Sequence, residues 1–438
     1  MNRKIRLSLV LLLAPAWVAL AEQKLVSSDP RDLEIQELKK QVLLLMERVS
    51  ALEKNNAQIM AAVPQNVLSG TNGVALAVVT TNGQQVAQGS STNRTSTVAA
   101  LEKRVDALSE RLKWYGDIRL RYDYIDLDGK DENSRLRLRA RFGLDAKVTE
   151  GWTAGLLVST EPNNPASGNT DLGSDFIGKD IGLDRIYVRY QPWSDEKLYF
   201  TGGKIAQPWI AVNDLVYDHD VNPEGVAFSY EKKFGDFEIL SNGGFLQDHT
   251  SFNDARSPLN IFAGQLAARA HLEDYTFLAG VTDYLYDGDT SKTYDGKPLN
   301  GADDINDVEL FTEASTTFFN IPFALHGQYL VNTMEDEENK AWLLGARIGK
   351  ADPGKLEFRT DYRYLERNSA FLRFTDSDCW SGYDSGNGGG SSGKGYRLQL
   401  RYGLNKYVTP ALTYYLQTRD LENPHDYNRV QADIAVKF

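Results

Sequence analysis

The sequence contains little cysteine and no long apolar run after its first residues, and both shortages narrow the class of protein. A single cysteine, Cys379, excludes an internal disulfide framework in this chain of 438 residues. Beyond the N-terminal segment, no stretch reaches the ~18 consecutive apolar residues that a membrane-spanning helix requires. A formal net charge of −12 argues against nucleic acid as a partner. The five histidines belong to no catalytic or ligand motif, so the sequence predicts no enzyme, no metal site and no cofactor.

The first 21 residues have the composition of a secretory signal peptide. Basic residues open the segment "MNRKIRLSLVLLLAPAWVALA", an apolar run follows, and small residues precede the expected cleavage site before Glu22. The apolar run is too short for a membrane anchor. We therefore expect residues 1–21 to be removed and the mature chain to be exported.

Residues 22–60 predict a coiled coil. A flexible linker rich in Gly, Asn, Ser and Thr is predicted at 61–96, and a second short coiled coil at 97–113. For the first of these coiled coils, the alternative is a single amphipathic helix packed on a globular core, but no globular domain lies nearby to receive it. Apolar residues fill the a and d positions of one heptad register at Ile35, Leu38, Val42, Leu45, Val49, Leu52 and Ile59.

Residues 114–438 follow a different pattern, in which amphipathic strands recur roughly every 20 residues. Short connections such as "VTEGW" and "HLED" alternate with long ones, and we count sixteen strands. This alternation is typical of a bacterial transmembrane barrel, whereas a soluble β-sandwich, the alternative, gives no reason for it. The predicted fold class is all-β: a 16-stranded antiparallel transmembrane β-barrel preceded by an α-helical coiled-coil stalk. The long connections are 160–183, 205–224, 287–303 and 368–394.

An arginine stands at every second position of "SRLRLRARFG", residues 134–143, with apolar residues between. Side chains alternate faces along a strand, so the arginines share one face and Leu136 and Phe142 share the other. In a membrane barrel the arginines must face the lumen, because each would cost about 2–4 kcal/mol against lipid at mid-bilayer. By the same parity, the predicted pore-lining arginine ladder is Arg119, Arg121, Arg135, Arg137, Arg139, Arg141, Arg185, Arg189, Arg359, Arg363, Arg397 and Arg401.

Acidic residues share the inward face with the arginine ladder. Two interpretations of these charged residues stay open. They form an ion-pair lattice that stiffens the wall, or they form a cationic track that concentrates anions as they pass. Arg419 and Arg429 add to the basic residues near the C-terminus. The acids on this face are Asp117, Asp123, Asp145, Glu357 and Asp361.

Three stretches resemble the bacterial putative-porin family of outer-membrane barrels: "YGDIRLRYDY…NSRLRLRARFGLDAKVTEGWTAGL", "LDRIYVRYQP…LYFTGGKIAQPW" and "DHDVNPEGVAFSY". The resemblance covers the barrel segment well and the coiled coils loosely. The final segment "RVQADIAVKF" is similar to the last strand of outer-membrane barrels, in which a C-terminal aromatic such as Phe438 is the assembly signal. By resemblance to porins in general, the third outer loop should fold inward and narrow the pore. The constriction residues expected on it are Asp214, Asp218, Asp220 and Glu224.

The resemblance implies passive diffusion of small hydrophilic solutes across the outer membrane of a Gram-negative cell. The arginine-lined lumen predicts an anion-leaning pore. The even strand count puts both ends of the barrel chain, and with them the coiled coil, in the periplasm. A structural protein that spaces or tethers the outer membrane to the cell wall is the alternative. The expected partners are outer-membrane lipid, the barrel assembly machinery and two further copies in a homotrimer. Peptidoglycan or a periplasmic protein is an open candidate for the coiled coil.

Overall fold

A computed structural model describes residues 109–249, 258–288, 305–380 and 392–438. Almost all of these residues form strands, as the repeated apolar–polar alternation predicts. The strands are β1 (Leu112–Leu127), β2 (Asn133–Thr149), β3 (Trp152–Thr160), β4 (Thr170–Asp171), β5 (Ile181–Tyr190), β6 (Lys197–Lys204), β7 (Glu224–Phe234), β8 (Phe237–His249), β9 (Leu259–Leu272), β10 (Tyr275–Gly288), β11 (Ile305–Phe318), β12 (Ile321–Asn332), β13 (Lys340–Gly349), β14 (Leu356–Leu365), β15 (Gly393–Tyr402), β16 (Val408–Arg419) and β17 (His425–Lys437).

The sheet closes on itself. Each long strand pairs in antiparallel register with its neighbours along the chain, and β1 pairs with both β2 and β17. Closure removes the free sheet edges that would otherwise expose unpaired backbone groups to lipid. Sixteen long strands form the wall, so the predicted antiparallel barrel of sixteen strands is confirmed.

The two-residue strand β4 is an addition to this pattern. Strand β3 is short, and its pairing with β2 ends at Arg141 opposite Ser159. Strand β4 then supplies a partner for the outer half of β2, with Asp171 opposite Arg137 and Thr170 opposite Leu138. A segment of the connection after β3 thus completes the wall where β3 ends.

The two faces of the wall differ as the alternation on β2 predicts. The outward side chains of Leu136 and Phe142 are 57% and 47% exposed. The side chains of Arg137 and Arg139 between them are 11% and 12% exposed and point inward. This arrangement gives lipid an apolar surface and keeps the charges in the lumen.

The short connections and both ends of the barrel chain lie at one end of the barrel, which we call the turn end. Glu150 and Gly151 make one of its tight turns, and the positive φ of 73° at Gly151 suits glycine. Exposed aromatics such as Trp152 and Trp193 lie at the turn end, where a membrane interface favours them. The described residues include no helix long and apolar enough to cross a bilayer.

Strand β1 begins at Leu112, two residues before the predicted barrel start, because Leu112 and Lys113 pair with Ala146 and Asp145 of β2. The predicted signal peptide, first coiled coil and linker lie outside the described residues. So does most of the second coiled coil, and the stalk stays a prediction.

Candidate functional site

The arginine ladder lies on the inward face of the wall. The β1–β2 register places Arg119 directly opposite Arg139 and Arg121 opposite Arg137. Like charges in opposed positions of a sheet repel one another, so carboxylates must lie close by. Strand β5 carries Arg185 and Arg189, β14 carries Arg359 and Arg363, and β15 carries Arg397 and Arg401.

Wall carboxylates lie between the arginines. Asp117 binds Arg139 at 2.9 Å and Arg141 at 2.7 Å, so one acid serves two bases. Asp123 binds Arg135 at 3.0 Å and Arg429 at 2.7 Å in the same manner. These contacts correspond to the ion-pair lattice rather than to a bare row of cations.

The connection between β6 and β7, residues 205–223, folds into the lumen, and we call it the first inward loop. Trp209 and Tyr217 are buried on it, with ring centroids 4.9 Å apart. Both rings pack against Tyr284 of β10, and the Tyr217 hydroxyl is 2.8 Å from that of Tyr286. An apolar core inside the barrel therefore holds the first inward loop against the wall opposite the β1–β2 arginines.

Two of the four predicted constriction residues bind the arginine ladder. Asp220 lies 3.1 Å from both Arg139 and Arg141. Asp214 lies 2.8 Å from both Arg363 and Arg397. Burial alone would raise the pKa of each carboxyl, but the neighbouring guanidinium groups outweigh burial and lower it. Both acids are therefore charged and neutralise the bases they touch.

The other two predicted constriction residues do not face the ladder. Glu224 begins β7 and binds Lys204 at 2.9 Å. Asp218 is buried, and its carboxylate accepts hydrogen bonds from the backbone and hydroxyl of Ser377 and from the Asp220 backbone N–H. Burial, together with the Asp220 and Asp376 carboxylates, raises the pKa of Asp218 well above its usual range. Asp218 joins two loops by hydrogen bonds and does not pair with an arginine of the ladder.

A second segment, residues 366–380 after β14, also folds inward, although the sequence pattern predicts only the loop before β7 inside the lumen. We call it the second inward segment. It contains a 3-10 helix, Leu372–Phe374, and buries Phe371 and Trp380. The signal was present in "AFLRFTDSDCW", whose large apolar residues would be costly in a solvated loop.

Two acids of the second inward segment complete the lattice. Asp376 binds Arg363 at 2.9 Å. Asp378 binds Arg121 of β1 at 2.9 Å and Arg429 of β17 at 3.1 Å. Burial would raise the pKa of Asp378, but these two arginines hold it well below its usual range.

A cavity of about 410 Å³ remains beside the inward loops, and we call it the turn-end chamber. Its lining includes Arg119, Arg401 and Lys437, and the last two lie near strand ends on the turn end. A second cavity of about 220 Å³ lies on the other side of Asp220, towards β5 and β7. The first inward loop therefore separates two polar spaces within the lumen.

Three ladder arginines have no carboxylate within salt-bridge distance among the residues that the structure describes. Arg119 donates to the Asn169 amide oxygen at 2.7 Å. Arg185 donates to the Asn222 amide oxygen at 2.6 Å. Arg189 lies over the ring of Tyr187, 5.4 Å from its centroid. These three bases retain charge that the lattice does not neutralise.

The C-terminal residue closes the turn end of the seam. The Phe438 backbone N–H donates to the Gly116 carbonyl at 3.1 Å, and the Gly116 N–H donates back to the Phe438 carbonyl at 3.0 Å. The Phe438 ring packs against Phe142 with centroids 5.8 Å apart. Gly116 is required here, because a side chain at this position would collide with the Phe438 ring.

Residues 123–263 match the model of a protein family described as "Putative porin". The resemblance to the putative-porin family is confirmed. The matched putative-porin segment runs from the last third of β1 into β9 and contains the β2 arginines and the first inward loop.

Several solved structures align with the described barrel. OprB of Pseudomonas putida aligns with a TM-score of 0.51 at 9% identity, over 77% of this chain and 96% of that chain. OmpF of Salmonella typhi, in complex with daunomycin, gives 0.47 at 12% identity over 75% and 97%. A Rhodopseudomonas blastica porin mutant gives 0.42 at 12% identity over 75% and 100%. No curated protein matches the chain. The likeness to OprB supports the barrel fold alone.

Proposed function

We propose that the chain is an outer-membrane porin through which small hydrophilic solutes diffuse passively, with a preference for anions. One observation carries the anion preference. The carboxylates of the lumen neutralise the β2 arginines, but Arg119, Arg185 and Arg189 have none in the described part of the chain. Uncompensated positive charge inside a narrow polar lumen raises the local concentration of anions.

The inward loops set the size limit of this proposed pore. They fill the side of the lumen next to β10 with apolar residues and leave polar space on the side of β1, β2 and β17. Hydrated solutes can permeate along the polar side, because its polar side chains offer them hydrogen-bonding partners along the whole path. Three copies in a trimer, each with its own pore, remain the expected assembly.

Reversal potentials in a salt gradient across a planar bilayer test the proposal. The native pore should prefer chloride over potassium, and Arg185→Gln with Arg189→Gln should reduce that preference. Lys179→Gln, in an exposed outer loop, is a matched control that should leave selectivity unchanged. A native pore that prefers cations would overturn the anion preference. A well-inserted barrel without conductance would instead favour the alternative of a membrane anchor for the stalk.

A further inference from the structure

We infer that the turn-end chamber is an oxyanion-binding site centred on Arg119. The inference deepens the proposed function, since it names the chemical class of solute that the lumen retains. The expected ligand is a small anion bearing a carboxylate or phosphate group. The predicted ladder of β2 is a poorer candidate, because Arg139 and Arg141 already bind Asp117 and Asp220.

Arg119 has unused donors. Its Nη2 donates to Asn169 Oδ1 at 2.7 Å, and this is the single hydrogen bond of the Arg119 side chain among the described residues. Its Nε is buried without a partner. A partly buried guanidinium without a carboxylate is costly, since charge is removed from water with little compensation. An unpartnered buried donor requires an explanation, and a bound ion that supplies the missing acceptor is one.

Other bases around the chamber are incompletely neutralised. Lys437 lines the chamber, and its side chain has no ion pair with any carboxylate of the described segments. Arg359 and Arg401 also line it, and both bind the same acid, Glu357. Two guanidinium groups on one carboxylate leave one net positive charge. The chamber therefore has an excess of cations at its turn end.

Small residues leave the space that a ligand needs. Ala435 lies opposite Arg119 in the β1–β17 register, and Thr409 lies opposite Ala435 on β16. Ala411 lies opposite Arg401 on the other side. Neighbouring strands are about 4.8 Å apart, so three strand spacings, roughly 14 Å of wall, separate Arg119 from Arg401. The chamber therefore has an arginine on each side and small residues on the strands between them, which leaves room for a bound anion.

The guanidinium group suits carboxylate and phosphate because its parallel N–H donors match their paired oxygens. The loop acids also limit where an anion can settle. Asp214 and Asp220 border the chamber on the side of the first inward loop and repel an anion from there. An anion that contacts Arg119 is therefore held on the side of the chamber away from these acids, towards Lys437 and Arg401.

Isothermal titration calorimetry on the purified full chain in detergent, at low ionic strength, tests the site. Inorganic phosphate and succinate are titrated in separate experiments, which distinguishes a phosphate ligand from a carboxylate ligand. At least one should bind saturably, and Arg119→Gln should raise its Kd by about tenfold or more. Arg269→Gln should retain the native Kd, because Arg269 pairs with Glu238 on another wall, outside the chamber.

Folding of each variant is checked by heat-modifiable migration. If Arg119→Gln does not fold, Lys437→Gln takes its place, since that exposed side chain also lines the chamber. Absence of saturable binding to the native chain would overturn the inference, as would a chamber variant with the native Kd. Binding is measured without current, so a barrel that binds phosphate but does not conduct overturns only the porin proposal. A conducting barrel that binds neither probe overturns only the site.

Discussion

Arg121 and Asp433 form a bidentate ion pair across the seam at which the barrel closes. The Arg121 Nε lies 2.7 Å from Asp433 Oδ1 and its Nη2 lies 2.9 Å from Oδ2. Arg429 and Asp123 form the same pair with the strands exchanged, at 2.7 and 2.9 Å. The first and last strands are therefore joined by side chains as well as by the backbone ladder.

Loss of one seam partner should destabilise the whole barrel. Asp433→Asn leaves Arg121, which is 4% exposed, with Asp378 alone. Removing one member of a buried ion pair costs about 3–5 kcal/mol. The free energy of unfolding, measured by urea titration and heat-modifiable migration, should fall by that amount. Glu422→Gln is the control, because this exposed partner of Arg367 contributes only about 0–1 kcal/mol. Equal stability of the two variants would contradict the prediction.

Deletion of Phe438 should impair assembly. It removes two backbone hydrogen bonds to Gly116 and the ring contact with Phe142. We expect a several-fold lower yield of heat-modifiable barrel in the outer-membrane fraction. Phe438→Trp keeps the backbone and an aromatic ring, and should assemble at the native level. A deletion variant that assembles as well as Phe438→Trp would refute the role of this residue.

Asp218 should make the protein less stable as pH rises. Its pKa in the fold is raised by burial and by the Asp220 and Asp376 carboxylates. The unfolded chain therefore releases this proton first, and stability falls as pH increases from the ordinary Asp value, about 3.9, towards the raised one. Asp218→Asn removes this penalty. Urea titrations should show the variant more stable than the native chain at about pH 8 and similar to it at about pH 4.

Asp378 should show the opposite dependence. Arg121 and Arg429 outweigh its burial and hold its pKa well below the usual range. Its stabilisation is therefore present above the ordinary Asp pKa and is lost as pH falls. Asp378→Asn should be less stable than the native chain at about pH 8 in the same titrations, with the difference shrinking in acid. If both Asn variants shift stability in the same direction, the charge assignments of the inward loops are wrong.

The aromatic core inside the lumen should govern the size of the pore. Tyr217→Ala removes the ring that packs against Trp209 and Phe374. Such truncation costs about 3–5 kcal/mol, so the first inward loop should detach and single-channel conductance should rise. Tyr217→Phe keeps the ring and loses only the hydroxyl contact with Tyr286. Its conductance should stay native, and an unchanged conductance in Tyr217→Ala would count against the constriction.

Much of the barrel wall can be predicted from the sequence, because the alternation of side chains between the two faces of a strand is a local property. The alternation through residues 134–143 assigns each side chain to lipid or lumen without knowledge of any other strand. Loop alternation likewise gives the strand number. The short strand β4 escaped prediction, since two residues carry no period.

The pairing of charges could not be predicted in the same way. Parity places Arg139 and Asp117 on one face, but which carboxylate meets which guanidinium depends on strand register and on the path of the loops. Asp220 reaches Arg139 across 81 positions of sequence, and Asp433 reaches Arg121 across 312. The sequence predicts one loop inside the lumen, whereas the described residues also include the second inward segment, which brings Asp376 and Asp378.

Asp378 has a consequence for the order of assembly. It binds Arg121 on the first strand and Arg429 on the last, so its docking site does not exist until those strands meet. The Asp378 contacts and the closure of the barrel must therefore form together. Any separation of β1 from β17 would split this site, so lateral opening of the wall would remove one anchor of the second inward segment.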